Sequence, residues 1–214
     1  LEQVAGKKPS ARVLSHLASI YEEMEEYDKA AEAYRKALEL SPANMQVKRA
    51  LAQALLFANK PEAALQLYQE LIKEDPDDYY SYLRLSQIYR EKRQFEEASR
   101  ALEQAKQLSP GNLEVLYNEV NLLEAQGRLP AAIAALQHIL ESTKKDGYSH
   151  GELANRRVFL ERLGLLYRKN GQYDEAVSTF RQLAELDPSL APRAAAQIAD
   201  TYRQAKQFRR ALEA

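Results

Sequence analysis

The sequence predicts an all-α fold of stacked helical hairpins, and three observations predict it. Pro42, Pro76 and Pro110 stand 34 residues apart. Ala30, Ala64, Ala98 and Ala132 keep the same step, as do Tyr21, Leu55, Tyr89 and Leu123. A fixed period of this length marks copies of one supersecondary unit laid side by side rather than an ordinary globular core. Within each copy the apolar spacing is helical, and no stretch alternates with period two over the length of a strand.

Aligned on the recurrent alanine, copies run over residues 11–44, 45–78, 79–112 and 113–146, then 157–190, with a partial sixth over 192–214. The first stretch of each copy shows the i, i+3, i+4, i+7 pattern: Leu14, Leu17, Ala18 and Tyr21, then Tyr82, Leu85, Ser86 and Tyr89, then Leu160, Leu163, Gly164 and Tyr167. A second amphipathic stretch follows, as in Ala30, Ala31, Tyr34, Ala37 and Leu38. Between the stretches lie turns at Glu25-Glu26, Asn59-Lys60, Arg93-Gln94, Gly127-Arg128 and Gly171-Gln172. Pro42, Pro76, Pro110 and Pro188 close the second helix, because proline disfavours helical geometry in the residue before it. Asn44, Asp78 and Asn112 then stand where the next helix starts and can accept from its free N–H groups. The recurrent alanines, including Ala176 and Ala211, belong where two helices approach closely.

The composition narrows the function. Lys plus Arg number 30 against 31 Asp plus Glu, so the basic excess of a nucleic-acid binder is missing. There is no cysteine for disulfides or thiolate metal sites. No apolar run approaches the ~18 residues of a membrane span. His16, His138 and His150 have no ligand-like spacing, and no glycine-rich phosphate loop or nucleophile–base grouping occurs. No catalysis, metal or cofactor is therefore expected, and no feature points to a compartment.

The pattern resembles the tetratricopeptide repeat, whose signature is Leu, a small residue and Tyr, then Ala, an aromatic, Ala, and finally Pro. Leu17, Ala18, Tyr21, Ala30, Tyr34, Ala37 and Pro42 carry it in copy one, and Leu163, Gly164, Tyr167, Ala176, Phe180 and Pro188 in copy five. The resemblance covers almost the whole chain and implies one right-handed α-α superhelix over residues 1–214. It also implies that first helices line a concave face that holds a peptide. The expected function is a non-catalytic scaffold for a protein or peptide. Self-association, or recruitment of substrate for a larger enzyme, are the alternatives.

Three departures stand out. The step from Ala132 to Ala176 is 44 residues, so an insertion lies at about 143–156. It reads as a tolerated surface loop with Gly151–Arg156 extending the next helix, or else as a lip over the groove or an oligomer contact. Glu119 takes a leucine position, where rotation leaves it partly wet or a basic partner holds it. Neither end supplies an obvious polar cap, and Leu1–Ala5 reads as the tail of an earlier helix, which suggests a piece of a longer array.

The candidate contact residues follow from the first-helix face. Gln53, Gln87 and Asn121 share one register, and amides both donate and accept, which suits the backbone of an extended segment. Arg49, Tyr80, Arg84, Arg90, Tyr117, Asn118, Arg162 and Arg168 flank them as a set of Arg, Tyr and Asn anchors. The arginines favour an acidic or C-terminal carboxylate ligand. Glu22 and Glu23 make copy one acidic instead. The carboxylate clamp of some family members is not matched. Asn118 and Arg162 fall on its positions, but Leu83, Gln87 and Val158 occupy the others.

Overall fold

The computed structural model describes residues 10–213. Among them the regular elements are helices, with no strand. The reading of Leu1–Ala5 as a helix tail lies outside the described residues. The chain divides into two compact units, residues 1–110 and 111–214.

In the first unit, hairpins pair α1 (Ala11–Glu23) with α2 (Tyr27–Leu40), α3 (Met45–Phe57) with α4 (Pro61–Glu74), and α5 (Tyr79–Glu91) with α6 (Phe95–Leu108). In the second, α7 (Leu113–Ala125) pairs with α8 (Leu129–Ser142), α9 (His150–Lys169) with α10 (Tyr173–Leu186), and α11 (Ala191–Gln204) with the short α12 (Phe208–Glu213). A 3-10 turn, Pro188–Leu190, leads into α11.

One device closes every hairpin. The residue after the C-cap has positive φ at Glu25, Asn59, Arg93, Gly127, Gly171 and Lys206. The N–H of the following residue reaches five residues back, as in Glu26 to the Tyr21 carbonyl at 2.8 Å and Arg128 to that of Leu123 at 2.9 Å. Such a Schellman ending satisfies carbonyls that the helix leaves unpaired. The recurrent Tyr and Leu positions thus mark this bond as well as the packing. The other junction uses side chains: Asn44, Asp78 and Asn112 accept from the backbone of α3, α5 and α7.

Each unit has its own core. Leu14, Tyr34, Leu51, Leu55, Tyr68 and Leu71 are among the buried residues of the first, and Leu136, Phe159, Leu163, Phe180 and Leu183 of the second. Ala30, Ala64, Ala98, Ala132 and Ala176 have no exposed surface, which lets the paired helices close on each other. Ala211 is only half-buried.

The ten inserted residues divide between loop and helix. The junction before α9 has seven residues where the earlier ones have four, and α9 has 20 residues where α3, α5 and α7 have 13. Ser149 starts α9 with a capping box to Glu152. Packing register survives the insertion. Gln137 donates to the Tyr167 hydroxyl at 2.7 Å, just as Gln69 donates to that of Tyr89 at 3.0 Å two hairpins earlier in the pattern.

Candidate functional site

In the first unit the expected contact residues gather on α3 and α5. Asp78 caps α5, accepting from the Ser81 N–H at 3.3 Å and the Ser81 hydroxyl at 2.6 Å. Its other role is electrostatic: Arg49 on α3 donates to it at 2.7 Å and so ties the two first helices together. Burial pushes the Asp78 carboxyl up, but the Ser81 hydroxyl and the Arg49 guanidinium outweigh burial and hold it below the usual carboxylate range. Beside this pair, Tyr80 donates to the Gln53 side-chain oxygen at 3.0 Å. The Arg84 guanidinium lies 4.6 Å from the Tyr80 ring centre and donates to Gln87 at 2.7 Å. The Tyr68 hydroxyl on α4 is buried near these groups, and burial raises its pKa.

A cleft of about 280 Å³ opens next to this cluster. Its polar lining includes Gln53, Arg84, Gln87 and Glu91, and its apolar lining Leu56, Phe57 and Ile88. Phe57 is 56% exposed and stacks on Tyr27 with ring centres 5.0 Å apart. Arg90 sits half-buried in the last turn of α5. Glu22 is not a bare acidic residue, since it accepts from the Tyr34 hydroxyl at 2.8 Å. Burial, with Glu22 adding and Ser19 opposing, pushes that phenol up to about 12.

In the second unit most of the corresponding residues are engaged by other groups of the same unit. Arg162 and Lys169 of α9 both pair with Glu124 of α7, the lysine at 3.0 Å. Tyr117 packs on Phe159 with ring centres 5.3 Å apart. Asn118 is buried and donates to the Glu114 carbonyl at 3.0 Å. Arg168 reaches the Gln197 carbonyl of α11 at 3.5 Å. Asn121 is half-buried on α7, and Glu119 likewise, not buried as a leucine there would be.

Neighbouring first helices are thus adjacent in both units, α3 with α5, and α7 with α9. Reading the repeats missed Asp78 as the anion for Arg49 and Glu124 as the anion for Arg162. One signal was present in the sequence. Arg90, Glu124 and Arg168 share a register, so the sign of the charge alternates from copy to copy. The apolar lining at Leu56, Phe57 and Ile88 was legible only as single exposed or core positions.

No helix among the described residues is long and apolar enough to cross a membrane. The human protein O-mannosyl-transferase TMTC1 is 29% identical over 134 residues, 61% of this chain and 15% of that protein. Anaphase-promoting complex subunit 3 of Schizosaccharomyces pombe is 23% identical over 210 residues, 94% of this chain and 29% of that protein. The chain therefore spans less than a third of the length of either relative. The crystal structure of YrrB, described as a TPR protein with an unusual peptide-binding site, superposes with a TM-score of 0.62 at 24% identity. That match covers 86% of this chain and 89% of YrrB, and it bears on the fold alone. Family models of the tetratricopeptide repeat match residues 21–88, 89–154 and 158–190. With those spans filled by the hairpins described above, the chain belongs to the tetratricopeptide repeat family.

Proposed function

We propose that this protein is a non-catalytic interaction scaffold that holds an extended segment of a partner protein on the first helices of its first unit. The observation that carries the reading is the cleft between α3 and α5, where Gln53, Leu56 and Phe57 of α3 face Arg84, Gln87, Ile88 and Glu91 of α5. Its polar groups are held in place before any ligand arrives. Tyr80 fixes Gln53, and the Tyr80 ring and Gln87 fix Arg84. Side chains already ordered lose little entropy on binding, so more of each contact appears as affinity. Amides and a guanidinium suit peptide carbonyls and carboxylates, while the apolar lining suits one side chain. YrrB, of the same fold, is described as having a peptide-binding site, so the fold itself is compatible with such a ligand.

Selection of peptides from a displayed random library on the intact chain tests this. A selected peptide should lose at least tenfold in affinity on the double substitution Gln53→Ala and Gln87→Ala, and again on Arg84→Ala, with the thermal midpoint little changed. Unchanged affinity in both variants would remove the cleft from the account. A second reading is that the repeats recruit protein substrates for a larger enzyme. The similarity to a protein named as a mannosyl-transferase, over 15% of that protein's length, favours it as the alternative.

A further inference from the structure

The insertion in the second unit builds a pocket that stacking of the repeats does not require. It lies where the end of α8 and the 143–149 loop meet the two extra turns at the start of α9, and its volume is about 220 Å³. Leu113 and Phe159 line its apolar side, and most of the rest comes from inserted residues, among them Lys144, Tyr148, Asn155 and Arg156. The Gln137–Tyr167 bond keeps the register of the hairpins on either side, so these residues are not spent on joining copies.

Its charges are distributed in a particular way. Glu152 is the carboxylate on the pocket wall, and it is already occupied. Lys145 donates to it at 2.5 Å, and the Ser149 N–H and hydroxyl at 2.8 and 2.6 Å. The Lys145 and Ser149 bonds hold its pKa down at about 2. That leaves Lys144 and Arg156 on the wall, and neither makes an ion pair with a carboxylate among the described residues. Lys144 is exposed. Arg156 is set in position, donating to the Leu140 carbonyl at 2.9 Å with its guanidinium 5.1 Å from the Tyr148 ring centre. The result is an apolar hollow with two cations at its edge and, among its lining residues, no second carboxylate to answer them.

We propose that this pocket docks an acidic peptide segment, taking one aromatic or large aliphatic side chain into the hollow while flanking carboxylates meet Lys144 and Arg156. The volume is below the roughly 300–1,000 Å³ of sites for whole small molecules, and it suits a single side chain. The chain as a whole carries a formal charge of −1, so an acidic segment would be drawn by the local cations and not by net charge. The site lies within the second unit and does not depend on the cleft between α3 and α5.

The test uses the intact chain and a fluorescein-labelled pentapeptide with phenylalanine flanked on each side by two glutamates, read by anisotropy. The proposal expects saturable binding that weakens roughly five- to tenfold on Lys144→Glu and on Asn155→Glu. It expects the same loss when alanine replaces the phenylalanine, or glutamines the glutamates. Both substituted positions are exposed, and matching thermal midpoints would show that the fold is kept. Binding equal in the alanine peptide, or displaced by inorganic phosphate, would reveal a bare anion site and overturn the proposal. So would binding indifferent to both charge reversals, or none at all up to millimolar protein. The Gln53→Ala, Gln87→Ala variant must bind this probe normally. A loss there would assign the peptide to the first unit and sink this site alone.

Discussion

Asp78 concentrates several roles in one side chain. It caps α5, ties that helix to α3 through Arg49, and sits 7% exposed. A carboxylate held below its ordinary pKa stabilises the folded state above the unfolded value near 3.8, and that stabilisation is lost as pH falls through the folded pKa. Replacing it by alanine removes a cap and leaves Arg49 without its anion, at a cost of about 2–4 kcal/mol. Asp78→Asn keeps an acceptor for the cap and loses the charge, so it should cost less and should flatten the acid limb. Urea midpoints at pH 7 and below pH 4 check both. The wild type should lose more stability on acidification than Asp78→Asn, and equal losses would contradict the ion-pair account. Such residues mark the limit of reading by period. Arg49 and Asp78 are 29 residues apart and Glu124 and Arg162 are 38 apart, so neither pair falls on the repeat step. Pairs that tie one first helix to the next depend on side chains peculiar to each copy, which an alignment of copies averages away. Asn118 shows the same limit, since its register suggested an open face while its amide bonds within its own helix.

At the scale of the element, the hairpins were legible because the same physical need recurs in each. A second helix must stop, so a proline follows; two helices must close, so alanine stands between them; a turn must reverse, so one residue takes positive φ. Gly164 is where this packing is tightest. A Cβ built there meets the Phe180 ring at 2.6 Å, and Phe180 is fully buried. Gly164→Ala should gain about 1 kcal/mol in helix propensity and lose about 1–3 kcal/mol to overpacking. The expected net result is destabilisation by up to about 2 kcal/mol, read from chemical denaturation, and a rise in stability would mean that the α9–α10 contact is looser than described. The insertion was readable as an extension of the next helix, and α9 does start at His150. Its pocket was not readable, because Tyr148 and Arg156 meet only once the loop has a definite path.

At the scale of the whole molecule, the division at Pro110 gives the first unit three complete hairpins and a core of its own. Repeat arrays gain stability from nearest neighbours, and about three copies suffice to bury a continuous core. Residues 1–110 alone should therefore keep a helical circular-dichroism spectrum and unfold cooperatively. A coil spectrum would show that the second unit is needed to fold the first. The proposed function requires the first helices of this unit to face a ligand. The most direct measurement is amide chemical-shift mapping of the intact, isotope-labelled chain titrated with a peptide selected on it. The account predicts the largest shifts at Gln53, Arg84, Gln87 and their neighbours on α3 and α5. Shifts confined to the second helices, α4 and α6, would contradict it.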